Sequence, residues 1–262
     1  MNSAIRPLSL VDRADPGAPR HLWLPPAGGT LSGFRELAAA RPGLRTWGVE
    51  YAGRGDRAAV PRPGSLEELA EQVTYEFLVR FGPAGVARTI VSGFSMGAFV
   101  AVEVAQRVHA WCGTAPAAVV VVGAPAPGRR VRGRYARIAE DALAELLAGQ
   151  GFVAGAGNRA SFELWAYARE LLRGDLRLMD AYRGPGRTSV PCPLAALCGA
   201  DDPGLVAGDA TEAWRACASG PFFASTVPGG HLGLLEPGQG HQFWASMDRL
   251  ERAIPVRGTR DA

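Results

Sequence analysis

The chain of 262 residues contains no lysine; all 28 of its basic residues are arginine. That absence removes a Walker A phosphate lysine, a Schiff-base lysine and the S-x-x-K acyl-enzyme motif together. Cysteine is scarce as well. Cys112, Cys192, Cys198 and Cys217 form no C-x-x-C pair, which argues against a disulfide scaffold and for buried, reduced thiols. No apolar run approaches the roughly 18 residues that span a bilayer, and the first residues hold no signal-peptide core, so a cytoplasmic protein without membrane contact is expected. The charge bias is mild, with 25 acidic residues and a net charge of +3, too little to indicate a nucleic-acid partner. Repeats, heptads and low-complexity tracts are missing too. What remains is a globular composition, 47% hydrophobic and 20% charged, in a length that suits one α/β core with an insertion.

The pattern divides the chain into four stretches. Residues 1–20 are polar and rich in Pro, Gly and Arg, and are expected to form a loose lead-in. Over 21–125, β-branched or apolar runs that end in Gly and Pro ("HLWLPPAGG", "LRTWGVEYAGRG", "TIVSGF", "AAVVVVGAPAPG") alternate with helical segments. One of these, "SLEELAEQVTYEFLVRF", opens with a capping box, Ser65 at the N-cap and Glu68 at N3. Over 126–190 the rhythm stops. This stretch offers two helices and no convincing strand, the pattern of a helical lid inserted between sheet strands. Over 191–262 the strand–helix alternation resumes with "CPLAALCGADD", a helix over "DATEAWRACAS", "FFASTVPGGH" and a last amphipathic helix near "GHQFWASMDRLERAI". Such alternation predicts a mostly parallel central sheet flanked by helices.

Chemistry enters at Gly93-Phe94-Ser95-Met96-Gly97, a G-x-S-x-G sequence between a predicted strand and a predicted helix. A nucleophile at such a corner needs a strained backbone, and glycines two residues away on either side prevent clashes. The helix N-terminus would set the Met96 N–H beside any oxyanion formed at Ser95. A serine needs a base, and there are four histidines. His21 begins a strand, His109 ends the helix that follows the serine, and His241 starts the last helix, where a solvated or capping role is expected. His231 alone follows a late strand in a flexible "PGGHLG" loop. The acid that orients the imidazole should lie between serine and histidine at a strand end, where Asp201 and Asp202 stand; the G-x-x-D spacing from Gly199 favours Asp202. The order Ser, acid, His is that of the α/β-hydrolase fold. A second oxyanion donor is expected from the "LPPAGGT" loop, with the Ala27 N–H the best placed because Pro26 has none. Asp175 and Asp180, inside the lid, are expected on solvated helix faces. Phe162, Trp165 and Leu172 read as a core stripe, part of which could line an acyl channel.

Six spaced blocks then point to a family. "LPPAGGTLSGFRELA", "EYAGRGDR", "GFSMGAFVAVEVA", "LLRGDLRLMDAYR", "CGADDPGL" and "VPGGHLGLLE", in that order, resemble the external (type II) thioesterases of polyketide and non-ribosomal peptide assembly lines, over about residues 20–235. The resemblance implies an α/β-hydrolase with a helical lid that hydrolyses aberrant or stalled acyl groups from the phosphopantetheine arm of acyl or peptidyl carrier proteins. It implies Ser95 as nucleophile, His231 as general base, Asp202 as orienting acid, and Ala27 and Met96 as backbone donors, with no metal or organic cofactor. Two departures stand out. Many relatives carry His where this chain has Phe94, so Phe94 is expected to alter the acyl pocket or its packing without abolishing chemistry. The Pro25-Pro26 pair also differs from the commoner form of that loop.

"GRRVRGRYAR" places Arg129, Arg130, Arg132, Arg134 and Arg137 at the start of the lid. This is either a solvated linker or a docking patch for an acidic carrier protein, since opposite charge raises encounter rates. A monomer is expected. Competing functions are a small-molecule esterase or lipase of the same fold, a product-releasing thioesterase, and an inactive carrier-binding protein.

Overall fold

The computed structural model describes residues 3–8, 19–129, 133, 135, 138–148, 159–184, 189–202, 205, 210–235 and 238–253. Seven strands form one sheet: β1 (Ile5–Pro7), β2 (Arg20–Leu24), β3 (Arg45–Val49), β4 (Thr89–Phe94), β5 (Ala118–Val122), β6 (Leu194–Gly199) and β7 (Phe222–Val227). Their spatial order is β1-β3-β2-β4-β5-β6-β7. β1 pairs antiparallel with β3, and every other neighbouring pair is parallel. The architecture is the α/β-hydrolase fold, a mostly parallel sheet covered by helices on both faces.

The two faces follow from the alternation of side chains along each strand. In β4 and β5, Val91, Val119 and Val121 join a core with α2 (Leu66–Val86) and α3 (Met96–Cys112). Ile90, Val120 and Val122 point the other way, to a second core with α1 (Arg35–Ala39) and α6 (Gly240–Ala253). Because both faces are covered, β4 and β5 are buried at every residue, which is why β5 reads as an unbroken apolar run and β4 as a mostly apolar one broken by Thr89 and Ser92. The capping box forms at the start of α2: the Glu68 N–H donates to Ser65 Oγ at 3.0 Å. The Glu68 carboxylate reaches one residue further back than the usual pattern and accepts from the Gly64 N–H at 2.7 Å.

Two sequence expectations need correction. The lead-in over 1–20 is not loose throughout: Ile5–Pro7 form the edge strand β1 in register with Trp47–Val49, and Glu76 of α2 accepts from the Ala4 N–H and from Ser3 Oγ. Pro7 is tolerated because it stands on an edge strand. The helix read over "DATEAWRACAS" is a single tight 3₁₀ segment, Glu212–Cys217. Its buried Trp214 donates from the indole N–H to the Ala124 carbonyl at 2.8 Å, and Trp214 and Cys217 anchor the segment in the main core. Between β5 and β6 lie α4 (Glu140–Ala148) and α5 (Arg159–Ala181).

Candidate active site

The chain runs from β2 outward to β3 and returns to the other side of β2 as β4, so a crevice opens where the strand order reverses. At its floor β4 ends at Phe94 and α3 begins at Met96, leaving Ser95 alone at the corner. Ser95 has φ 52° and ψ −111° and is the one non-glycine residue among those described with positive φ. Its N–H donates to the Val122 carbonyl at 2.7 Å, which holds the strained corner against β5. The flanking glycines are sterically required. A Cβ on Gly93 would overlap the Gly97 carbonyl and come within 2.6 Å of the Ala98 nitrogen, and a Cβ on Gly97 would overlap the Leu24 carbonyl. β4, α3 and the end of β2 therefore interlock around the serine.

Two further strand ends converge on it. The loop after β7 carries His231, whose Nε2 lies 3.0 Å from Ser95 Oγ. The loop after β6 carries Asp202, whose Oδ2 lies 2.7 Å from His231 Nδ1. The Asp202 side chain is almost wholly buried, whereas that of His231 is 38% exposed. Asp201, the alternative acid, is exposed, and its N–H anchors the loop by donating to the Gly229 carbonyl at 2.9 Å. The structure thus brings together Ser95, His231 and Asp202 and leaves Asp201 out. The other three histidines are elsewhere. His109 and His241 are exposed, with His241 Nδ1 2.9 Å from the Gly238 carbonyl, and His21 is buried under Trp244.

Above Ser95 is a cavity of about 210 Å³. Pro26 and Ala27 of the loop after β2 line one side, His231 and Leu232 another, and Leu146, Leu172, Leu176 and Met179 from α4 and α5 form a mostly apolar roof to which Tyr135 and the Glu145 carboxylate add polar groups. Leu172 of the expected stripe reaches this cavity. Trp165 packs half-buried against the main core, and the side chain of Phe162 lies outside the described residues. Met96 is buried at the first position of α3, where backbone N–H groups have no intrahelical partner.

Phe94 does not face the cavity. It is wholly buried on the opposite side of the sheet, 5.1 Å from the ring of Phe34 and 5.7 Å from that of Phe243, within a cluster that includes Trp23 and Trp244. Of the expectation that Phe94 alters pocket or packing, the packing half applies. Of the arginine patch, Arg129 is exposed after β5; Arg130, Arg132, Arg134 and Arg137 lie outside the described residues.

The lid aspartates do not sit where the sequence placed them. Asp180 is half-buried and accepts from the Tyr135 N–H at 3.1 Å. Asp175 is buried and pairs with Arg54, from the loop after β3. Burial alone would depress the Arg54 guanidinium, but the Asp175 carboxylate beside it outweighs that and holds it above its ordinary value. Burial also pushes the Tyr51 phenol well above its usual range. The α5 helix is strongly amphipathic, so a polar position on it reads as solvated. Only the arginine in "YAGRGD", 121 residues away, could have signalled otherwise.

Strand order, elbow and converging loops together define a member of the α/β-hydrolase superfamily. The model of the thioesterase domain matches residues 20–246, and the chain belongs to that family. It is 32% identical over 238 residues to a relative from Streptomyces griseus described as a probable cadicidin biosynthesis thioesterase, covering 90% of this chain and 63% of that one. It is 32% identical over 254 residues to thioesterase PikA5 of Streptomyces venezuelae, covering 94% and 84%. The chain thus spans just under two thirds of the first relative and most of the second. Among solved structures, the type II thioesterase BorB from the borrelidin biosynthetic cluster superposes with a TM-score of 0.75 at 32% identity, over 94% of this chain and 98% of BorB. RedJ, a thioesterase from the prodiginine pathway in Streptomyces coelicolor, gives 0.75 at 29% identity over 92% and 94%. Among the described residues no helix is long and apolar enough to cross a membrane.

Proposed function

We propose that this protein is a type II thioesterase that hydrolyses stalled or aberrant acyl groups from the phosphopantetheine arm of acyl or peptidyl carrier proteins, working as a cytoplasmic monomer. The observation that carries the reading is the line from Asp202 through His231 to Ser95 on the floor of an apolar cavity, with hydrogen-bond distances of 2.7 and 3.0 Å. In this reading Ser95 Oγ attacks the thioester carbonyl while His231 Nε2 takes its proton. Asp202 fixes the tautomer in which His231 Nδ1 carries hydrogen and stabilises the imidazolium that forms. The Met96 N–H at the start of α3 and the Ala27 N–H face the carbonyl oxygen as it gains charge. His231 returns its proton to the departing thiolate, and a water deprotonated by His231 then hydrolyses the acyl-serine. The apolar roof from α4 and α5 suits an acyl chain, and residues 126–190 serve as the lid over the core formed by 21–125 and 191–262.

Mass spectrometry of a panel of acyl-loaded carrier proteins after incubation tests the reading. The wild type should release the acyl group and Ser95→Ala should not. Hydrolysis of p-nitrophenyl esters with no release from any carrier protein would favour the small-molecule esterase instead. Docking through Arg129, Arg130, Arg132 and Arg134 is part of the proposal. Reversing the charge of Arg130 and Arg132 should raise KM for an acyl carrier protein but not for a small acyl thioester. Equal effects on both would remove the docking role.

A further inference from the structure

Arg54 and Asp175 form an ion pair whose side chains are 2% and 4% exposed. Nothing in the acyl-transfer chemistry uses either group. Taking two charges out of water is costly, and well-packed apolar residues often stabilise a protein as much, so stability is a weak explanation for the pair. The partners on the backbone give a better one. Asp175 Oδ1 accepts from Arg54 Nη2 at 2.7 Å, while Oδ2 accepts from Arg54 Nη1 at 2.8 Å and from the Gly28 N–H at 2.8 Å. Arg54 Nη1 also donates to the Gly29 carbonyl at 3.1 Å. The Tyr51 hydroxyl, whose ring lies 5.1 Å from the guanidinium carbon, donates to the Pro25 carbonyl at 3.3 Å. Main-chain groups at positions 25, 28 and 29 are thus held by side chains, and Ala27 lies between them.

Asp175 is the only one of these anchors that comes from α5. On the same helix Leu172, Leu176 and Met179 roof the cavity above Ser95. We infer that the Arg54–Asp175 pair is a positioning device that couples the Pro25–Gly29 loop to the seating of α5, so that the loop presents Ala27 to the reacting carbonyl only when the roof is in place. With α5 seated, the Gly28 N–H is captured and the loop is fixed. With α5 displaced, Asp175 withdraws, the loop loses its anchor, and hydrolysis slows. Neither residue touches substrate. The inference rests on the proposed roles of Ser95 and Ala27.

The test compares wild type, Asp175→Asn, the double variant Arg54→Met with Asp175→Leu, and Ser95→Ala, using propionyl-N-acetylcysteamine as substrate and recording Tm, kcat and KM. The double variant replaces the charges with apolar groups and should stay folded, with a Tm near that of wild type. Its kcat should fall about 100-fold, the scale of a lost oxyanion donor, while KM changes less than about threefold. Asp175→Asn, which keeps a neutral acceptor for the Gly28 N–H, should lose about tenfold in kcat, a partial rescue relative to the double variant. A folded double variant with kcat close to wild type would overturn the inference and make the pair structural. A raised KM with unchanged kcat would also overturn it, by assigning the pair to the acyl pocket. Should the double variant not fold, Asp175→Asn decides on the same terms. Hydrolysis that survives Ser95→Ala would refute the underlying reading, and the inference falls with it. Loss in Ser95→Ala beside an unaffected double variant refutes the inference alone.

Discussion

Asp202→Asn tests the electrostatic part of the proposed site because the carboxylate is buried and lies against the His231 imidazole. Its Oδ2 is 2.7 Å from His231 Nδ1; the carboxylate side chain is 2% exposed, but that of His231 is 38% exposed, so solvent screens the pair from the imidazole side. With the charge centres about 4 Å apart and an effective dielectric of about 20, Coulomb's law sets about 4 kcal/mol as the upper bound on what the carboxylate contributes to the imidazolium, before screening on the exposed imidazole side. At about 1.4 kcal/mol per decade this bounds the electrostatic loss at about three decades in rate. An asparagine amide can also donate to Nδ1, which would leave Nε2 protonated and unable to accept from Ser95; that extends the expected loss towards 10⁴-fold. The assay is steady-state hydrolysis of propionyl-N-acetylcysteamine, with Asp201→Asn as the matched control. Asp201 is exposed and anchors its loop through the backbone N–H, which asparagine retains, so that variant should stay within about twofold of wild type. Circular dichroism and Tm should show both variants folded. A loss below tenfold in Asp202→Asn, or an equal loss in Asp201→Asn, would refute the assignment of the acid.

Gly93→Ala should destabilise the fold by about 3 kcal/mol or more, because its Cβ would overlap the Gly97 carbonyl, while Gly33→Ala, with no atom within 4 Å of its Cβ, should be neutral; denaturant unfolding separates them. Burial, with Arg41 nearby, pushes the His21 imidazole from 6.5 down to about 3. The unfolded chain therefore binds a proton below about pH 6.5 that the native state refuses until about pH 3, and stability falls with pH across that window by about 1.4 kcal/mol per unit. Glu251, 3.7 Å from His21 Nε2, is raised by burial and acts in the opposite sense. In His21→Phe the His21 contribution should vanish, so that unfolding free energies of variant and wild type diverge from pH 6 to pH 4; parallel curves would refute it. Leu176→Phe should narrow the cavity of about 210 Å³ and lower kcat/KM for hexanoyl relative to propionyl thioester by tenfold or more, read from competition assays.

The parts of the fold legible from sequence are those whose cause is local. The runs of β4, β5 and β6 are buried on both faces, so apolar residues dominate them, with Thr89 and Ser92 the buried polar exceptions in β4, and each runs into a glycine or the elbow. The elbow announces itself because its strained serine demands glycine on both sides. His231 could be selected from four histidines by elimination, because only one followed a late strand in an open loop. The 3₁₀ segment at Glu212–Cys217 escaped for the opposite reason: its composition is helical, and the bond from Trp214 to the Ala124 carbonyl that fixes it spans 90 residues. β1 is three residues long and contains proline, too little for any periodicity.

Asp175 shows where that kind of reading ends. Its neighbours, Arg173, Gly174, Leu176 and Arg177, describe a mixed helix, and on such a helix an aspartate is more often wet than buried. What buries it is a guanidinium from the loop after β3 and an amide from the loop after β2, and neither is encoded in the periodicity of α5. Phe94 is the same case in apolar form. Seen in the sequence it stands one residue from the nucleophile and invites a role in the pocket. In the fold, strand alternation turns it to the far face, where α1 and α6 supply Phe34 and Phe243 to enclose it. Position next to Ser95 along the chain therefore says little about proximity to the acyl group. Asp175, 80 positions away, is tied more closely to the proposed oxyanion loop than Phe94 is.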